Sequence, residues 1–247
     1  MTLRILYQDD DLVAVDKPAG LLVHRTRIAD EDAAALQKVR DLVGRRVNPV
    51  HRLDRPTSGV LLFAFEADTT RLLQAMFNDG RAHKRYLAVV RGYAPEQGVI
   101  DRPLRQDRHK PERPARTIYR RLRTAEAPFP AGRYDTARFS LLEAEPLTGR
   151  LHQIRRHCAH LRHPVIGDTT HGDGKQNRAF REHVGVHRLL LMARSLSLPH
   201  PRHGERLHLF APLPEDFELV CRTLGWPSPP DQDGDDGRIR AISRPCA

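Results

Sequence analysis

Apolar and polar residues alternate over residues 3–7 and again over 12–16, with Asp9-Asp10-Asp11 between them. Period-two alternation around a polar turn predicts a β-hairpin. Lys17-Pro18-Ala19-Gly20 breaks the pattern before Leu21-Leu22-Val23-His24. Residues 31–43 change period: Leu36, Val39, Leu42 and Val43 share one face of a helix, and Gly44 is placed to end it. Residues 59–65 are nearly all apolar, as expected of a strand buried on both faces. Residues 68–79 predict a second helix, with Asp68 as its N-cap, Leu72, Leu73, Met76 and Phe77 as its buried stripe, and Gly80 just past its end. Strands are expected at 84–91, near 116–123 and at 134–144. A helix is expected at 152–162, ended by Pro164, and a last one from Leu213-Pro214-Glu215-Asp216 to about Leu224. The apolar run 187–198 fits strand and helix equally well. Gln106 to Ala115 is basic and contains proline, and reads as a loop that either touches a polyanion or solvates a connection. No internal repeat is visible. Periodicity therefore predicts an α/β mixture, with a tail from Pro227 to Ala247 too poor in apolar residues to order itself.

Charge narrows the class. The 247 residues carry a formal charge of +10, and only five of the 41 basic residues are lysines. Arginine binds phosphate in a bidentate way and stacks on bases, so the bias suits RNA. Genomic base composition also exchanges lysine for arginine, but it leaves the net charge unexplained. A pI near 10 implies a polyanionic partner or a strongly solvated surface. The three cysteines, Cys158, Cys221 and Cys246, form no paired spacing, which argues for a reducing compartment. The first residues lack the apolar core of a signal peptide, and no stretch approaches the roughly 20 apolar residues of a membrane helix. A cytoplasmic location without membrane attachment is expected, and no protein partner is implied.

Residues 51–59 read His-Arg-Leu-Asp-Arg-Pro-Thr-Ser-Gly. One carboxylate, Asp54, stands between Arg52 and Arg55, on a turn before the apolar run Val60–Phe65. Neighbouring positive charge favours the ionised form, and an ionised carboxylate held in a basic cleft is a candidate nucleophile toward a sugar or a base. Taken alone, the same pattern also describes a surface salt bridge at a strand–turn corner.

The nonapeptide and the strand after it closely resemble the catalytic-aspartate motif of the RluA-type pseudouridine synthases. Further blocks resemble the same family in the same order: Asp16–His24, Lys84–Gly92 and Thr148–His157. The resemblance spans roughly residues 3 to 212. It implies one α/β (α+β) catalytic domain over 1–226, with a mixed, mostly antiparallel sheet, flanking helices and a central RNA cleft. With the first block close to Met1, a separate N-terminal RNA-binding module is not expected.

The reaction implied is isomerisation of uridine to pseudouridine. The N1–C1′ bond breaks, the base turns, and C5 joins C1′, without metal, cofactor or redox change. It asks for an anion at the sugar–base junction, a flat contact for the detached base, and extraction of the base from its stack. The resemblance makes Asp54 the nucleophile, attacking the sugar or the base or starting elimination to a glycal. It implies that Arg52 fills the gap left by the flipped nucleotide; a phosphate contact is the competing role. Stacking a guanidinium or a ring on a base is worth ~1–3 kcal/mol, comparable to the cost of flipping. Tyr86, by pattern alone a core tyrosine with its hydroxyl at the surface, becomes the ring that stacks on the target base and a candidate to take the C5 proton. Arg155 becomes the ion-pair partner of Asp54, with Arg150 as the competing choice. Ile154 packs on the uracil, and His51 joins the RNA-binding set.

Three other chemistries fit poorly. His152, His157, His160 and His163 with Cys158 lack the paired Cys and His spacing of a zinc site. Ser58-Gly59 has no Gly-x-Ser-x-Gly elbow, so Thr57 and Ser58 are expected to stabilise the turn. One carboxylate does not make a glycosidase pair. Within the family, Ile154–Asp168 and above all His171–Arg178 resemble the tRNA-modifying branch, which acts on uridine 65. A synthase for 23S ribosomal RNA and a non-catalytic RNA-binding protein on the same fold are the alternatives. The family usually carries His where this chain has Met192.

Overall fold

The opening hairpin forms where the alternation places it: β1 (Arg4–Gln8) pairs antiparallel with β2 (Leu12–Lys17). The Asp9 carboxylate closes the turn, accepting the Asp11 and Leu12 N–H groups at 2.8 and 2.9 Å. The computed structural model describes residues 3–24, 34–106 and 109–229. The chain continues with α1 (Ala35–Val43), β3 (Asn48–Pro49), β4 (Ser58–Ala64), α2 (Ala67–Asn78), β5 (His83–Arg91), β6 (Gln97–Asp101), β7 (Leu104–Arg105) and β8 (Glu112–Arg113). There follow β9 (Arg116–Ala127), β10 (Ala137–Pro146), α3 (Gln153–His160), α4 (Gly174–Val184), β11 (Leu191–Pro199), β12 (Arg206–Phe210) and α5 (Glu215–Thr223). The fold class is the expected α/β mixture of mostly antiparallel strands with helices.

Contacts group the chain into two units, residues 1–84 with 192–212, and residues 85–191 with 213–247. In the first, β4 lies between β2, antiparallel, and β11, parallel, and all seven of its residues are buried. That two-sided burial is the reason for its unbroken apolar run. Gly59 sits at φ 109°, and a Cβ there would lie 2.1 Å from the Ala193 carbonyl oxygen, so β4 and β11 approach through a position only glycine fits. In the second unit, β10 pairs antiparallel with both β5 and β9, and β6 pairs with β9. The core of this unit gathers Ala88, Val90, Leu142, Ile154, Cys158, Val165 and Leu189.

Several local expectations are corrected. Asp68 lies inside the first turn of α2, whose N-cap is Glu66 in extended conformation. Leu72 and Leu42 are exposed, so the buried stripes are narrower than the sequence pattern. The run 187–198 resolves into β11, because two strands claim its backbone as a neighbour. The loop expected at 106–115 contains β8, paired with β7. α4, β6 and β12 were not expected. The start of the helix at 31–43, residues 107–108 of the basic loop and the tail from 230 lie outside the described residues. No helix among the described residues is long and apolar enough to cross a membrane.

Candidate active site

The Asp54 turn is built by fixing its neighbours. Leu53 is buried, while Arg52 is exposed and Asp54 half-buried, so side chains alternate outside any strand. Thr57 N–H donates to the Asp54 carbonyl at 3.0 Å and closes the turn. Gly20 N–H donates to the Arg55 carbonyl at 2.8 Å, and Arg55 Nε donates back to the Gly20 carbonyl at 3.0 Å. Lys17, fully buried, donates from Nζ to the carbonyls of Pro18 (2.9 Å), Leu21 (2.8 Å) and Arg55 (3.2 Å). A desolvated ammonium is tolerable only when its protons are satisfied, and here they stitch the 17–21 loop to the residue after Asp54. In the sequence Lys17 breaks the strand pattern and falls in the block Asp16–His24, but neither feature gives it a partner. Its signal was a lysine at the end of an apolar strand in a chain with five lysines in all.

His51 is half-buried, with its role set by neighbours. Its Nε2 accepts the Leu62 N–H at 3.1 Å, and its ring stacks on Phe77 with centroids 4.8 Å apart. Burial, and then the nearby Lys84 ammonium, hold its pKa down to about 3. It is a neutral strut between Leu62 and Phe77. Met192 is fully buried opposite Ser58, so the departure from the family's usual His falls at a packing position.

In the second unit, Tyr86 stands on β5 opposite Ala144 and is half-buried, packed against the cluster that contains Ile154. The structure thus brings Tyr86 and Ile154 to one apolar cluster. α3 starts from His152 in left-handed conformation, φ 52°. The buried Gln153 organises the approach: its Oε1 accepts Thr148 Oγ1 at 2.7 Å and Arg150 N–H at 3.0 Å, and its Nε2 donates to the Arg116 carbonyl and Thr117 Oγ1, both at 3.0 Å. Arg155, two residues later, is 4% exposed and makes a two-pronged pair with Asp168, Nε to Oδ2 and Nη2 to Oδ1, both 2.8 Å. Burial alone would raise the Asp168 pKa. Bonds from Arg155 and from the His171 and Thr170 N–H groups outweigh it and leave the carboxyl below its ordinary value. Arg150, the competing choice, lies before the helix with its Nε on the Pro114 carbonyl at 3.1 Å.

The histidines around α3 are each taken up by hydrogen bonds and do not converge on one point. His157 bonds Thr117 Oγ1 and the Arg102 carbonyl, His160 meets Arg102, His163 bonds the Arg91 carbonyl, and His152 meets His171 at 3.0 Å. Among the described residues, the one grouping with ligand-like spacing is Asp9, Asp11 and His200. Its groups hold one another, His200 Nε2 on Asp9 at 2.9 Å and Arg202 on Asp11, as an internal clamp. The segment 171–178 is a loop running into α4. Asp173 caps that helix by accepting the Lys175 and Gln176 N–H groups, and Arg91 Nη1 donates to its carboxylate at 2.5 Å. No role for Asp168 or Asn177 was legible from sequence.

Comparison with known proteins agrees with this architecture. Residues 11–160 match the family described as RNA pseudouridylate synthase. The chain is 48% identical over 235 residues to tRNA pseudouridine synthase C of Salmonella typhi, covering 91% of this chain and 90% of that protein. It is 44% identical over 236 residues to tRNA pseudouridine synthase C of Haemophilus ducreyi, covering 92% and 97%. The solved structure of human RNA pseudouridylate synthase domain containing 4 superposes with a TM-score of 0.71 at 28% identity, covering 92% of this chain and 95% of that one. With residues 11–160 matched by that family and relatives 44–48% identical over about nine-tenths of the chain, the chain belongs to the RNA pseudouridylate synthase family.

Proposed function

We propose that the protein isomerises uridine to pseudouridine in tRNA, at uridine 65, with Asp54 as nucleophile and residues 1–226 as the catalytic domain, in a cytoplasmic setting. The observation that carries the reading is the Asp54 turn. A half-exposed carboxylate sits on backbone held from Gly20 and from the buried Lys17. A nucleophile on a pinned turn loses little freedom on reaching its target, which is the entropic part of catalysis.

The remaining roles follow from chemistry. The target nucleotide leaves its stack so that C1′ reaches Asp54, and Arg52, exposed beside it, fills the gap or binds phosphate. Asp54 forms the bond that releases N1, and the detached uracil is held flat by Tyr86 and Ile154 while it turns. C5 then joins C1′ as the Asp54–C1′ bond breaks and the carboxylate is restored, and C5 loses its proton, with the Tyr86 hydroxyl as a candidate acceptor. Arg155 is the cationic partner proposed for the nucleophile. Relatives named for tRNA support that substrate over ribosomal RNA.

Asp54→Asn is nearly isosteric and removes the charge. It is expected to bind tRNA with unchanged affinity and to form no pseudouridine; product formation by this variant would refute the mechanism. Mapping pseudouridine in tRNA and ribosomal RNA from a strain lacking the protein tests the substrate. Loss confined to a ribosomal site would sink the tRNA reading.

A further inference from the structure

Asp168 has no part in the chemistry above, yet its buried carboxylate engages one guanidinium through both oxygens. Its side chain is fully buried against Arg155, itself 5% exposed. Two parallel N–H···O bonds fix the plane and rotation of a guanidinium in a way that one bond does not. The carboxylate is fixed in turn, since Oδ1 also accepts the Thr170 N–H at 2.9 Å and the His171 N–H at 3.0 Å. Asn177, on α4, clamps the same loop from the other side. Its Oδ1 accepts the Gly167 N–H and its Nδ2 donates to the Asp168 carbonyl, both at 2.9 Å. The loop has no slack. A Cβ on Gly167 would lie 1.9 Å from the Arg188 carbonyl oxygen, and one on Gly172 would lie 2.0 Å from the Asp168 carbonyl oxygen.

A buried ion pair is a poor source of stability, because desolvation offsets much of the attraction. What it does supply is a fixed orientation. We propose that Asp168 is a positioning residue for the isomerisation: it holds Arg155 in a single pose, and Asn177 ties that pose to α4. The segment 171–178 is thereby joined to a residue of the reaction. This inference rests on the role given to Arg155 above.

The test uses the full chain and a tRNA transcript, with Asp168→Asn, Asn177→Ala and Arg155→Ala. Asp168→Asn keeps size and turns one acceptor into a donor facing the guanidinium. The readouts are the single-turnover rate of pseudouridine formation at saturating enzyme and the Kd for the transcript. A merely structural role reduces the folded fraction and leaves the saturating rate constant unchanged. Loss of positioning lowers that rate by about 100-fold in Asp168→Asn and by roughly tenfold in Asn177→Ala. In both variants the Kd is expected to stay within about threefold of wild type, because neither side chain is assigned an RNA contact. A wild-type rate in Asp168→Asn, with Arg155→Ala inactive, overturns the inference and leaves the reading of Arg155 standing. A fully active Arg155→Ala overturns both. If Asp168→Asn does not fold, Asn177→Ala decides alone, and a wild-type rate there overturns the proposal.

Discussion

Protonation of His51 should weaken the fold in mild acid, and the size of the effect follows from its surroundings. In the unfolded chain a histidine takes up its proton near pH 6.5. In the folded protein, burial and Lys84 push that down to about 3, and Nε2 is occupied by the Leu62 N–H. Between these values the unfolded chain binds a proton that the folded one refuses. Stability contributed by neutral His51 is therefore intact above pH 6.5 and is lost as pH falls toward 3. Each pH unit in that window is worth about 1.4 kcal/mol, so about 2 kcal/mol is gone at pH 5. His51→Gln removes the titration and keeps an acceptor for Leu62. Urea unfolding followed by circular dichroism at pH 7.5 and pH 5 measures both proteins, and the other histidines cancel in the comparison. Wild type should lose about 2 kcal/mol more than the variant over this interval. Equal losses in the two proteins would refute the neutral-strut assignment.

Lys17→Met leaves three carbonyls without the ammonium they share, and is expected to cost about 3 kcal/mol in urea unfolding. The same change should lower the rate of pseudouridine formation with little change in tRNA affinity, since it loosens the Asp54 turn; an unchanged rate would show that the turn is held otherwise. Binding of tRNA should weaken by about 100-fold or more between roughly 50 and 200 mM salt, because phosphate contacts release counterions. A flat salt dependence in filter binding would remove the charge of +10 from the account of recognition.

Secondary structure was legible wherever one period dominated a stretch. The opening hairpin, β4, β5, α3 and α5 appear close to their expected positions. α4 was missed because its buried residues, Gln176, Ala179, Phe180 and Val184, include a polar one and sit among charged neighbours. Run 187–198 stayed ambiguous because continuous apolar sequence satisfies either period, and its pairing with β4 and β12 settled it.

Residues 51–59 by themselves determined that a carboxylate would stand on a turn before a buried strand, since turn chemistry and strand periodicity act over a few neighbours. Which groups surround that turn was decided only in three dimensions. Lys17 reaches the Arg55 carbonyl across 38 residues, and His51 meets Phe77 and Leu62. Arg155 finds Asp168 through a loop that Asn177 and two glycines hold shut. The physical reason is burial. A lysine, a histidine or an arginine in the sequence is equally ready to be solvated, and only the packing that excludes water selects its partner and its charge.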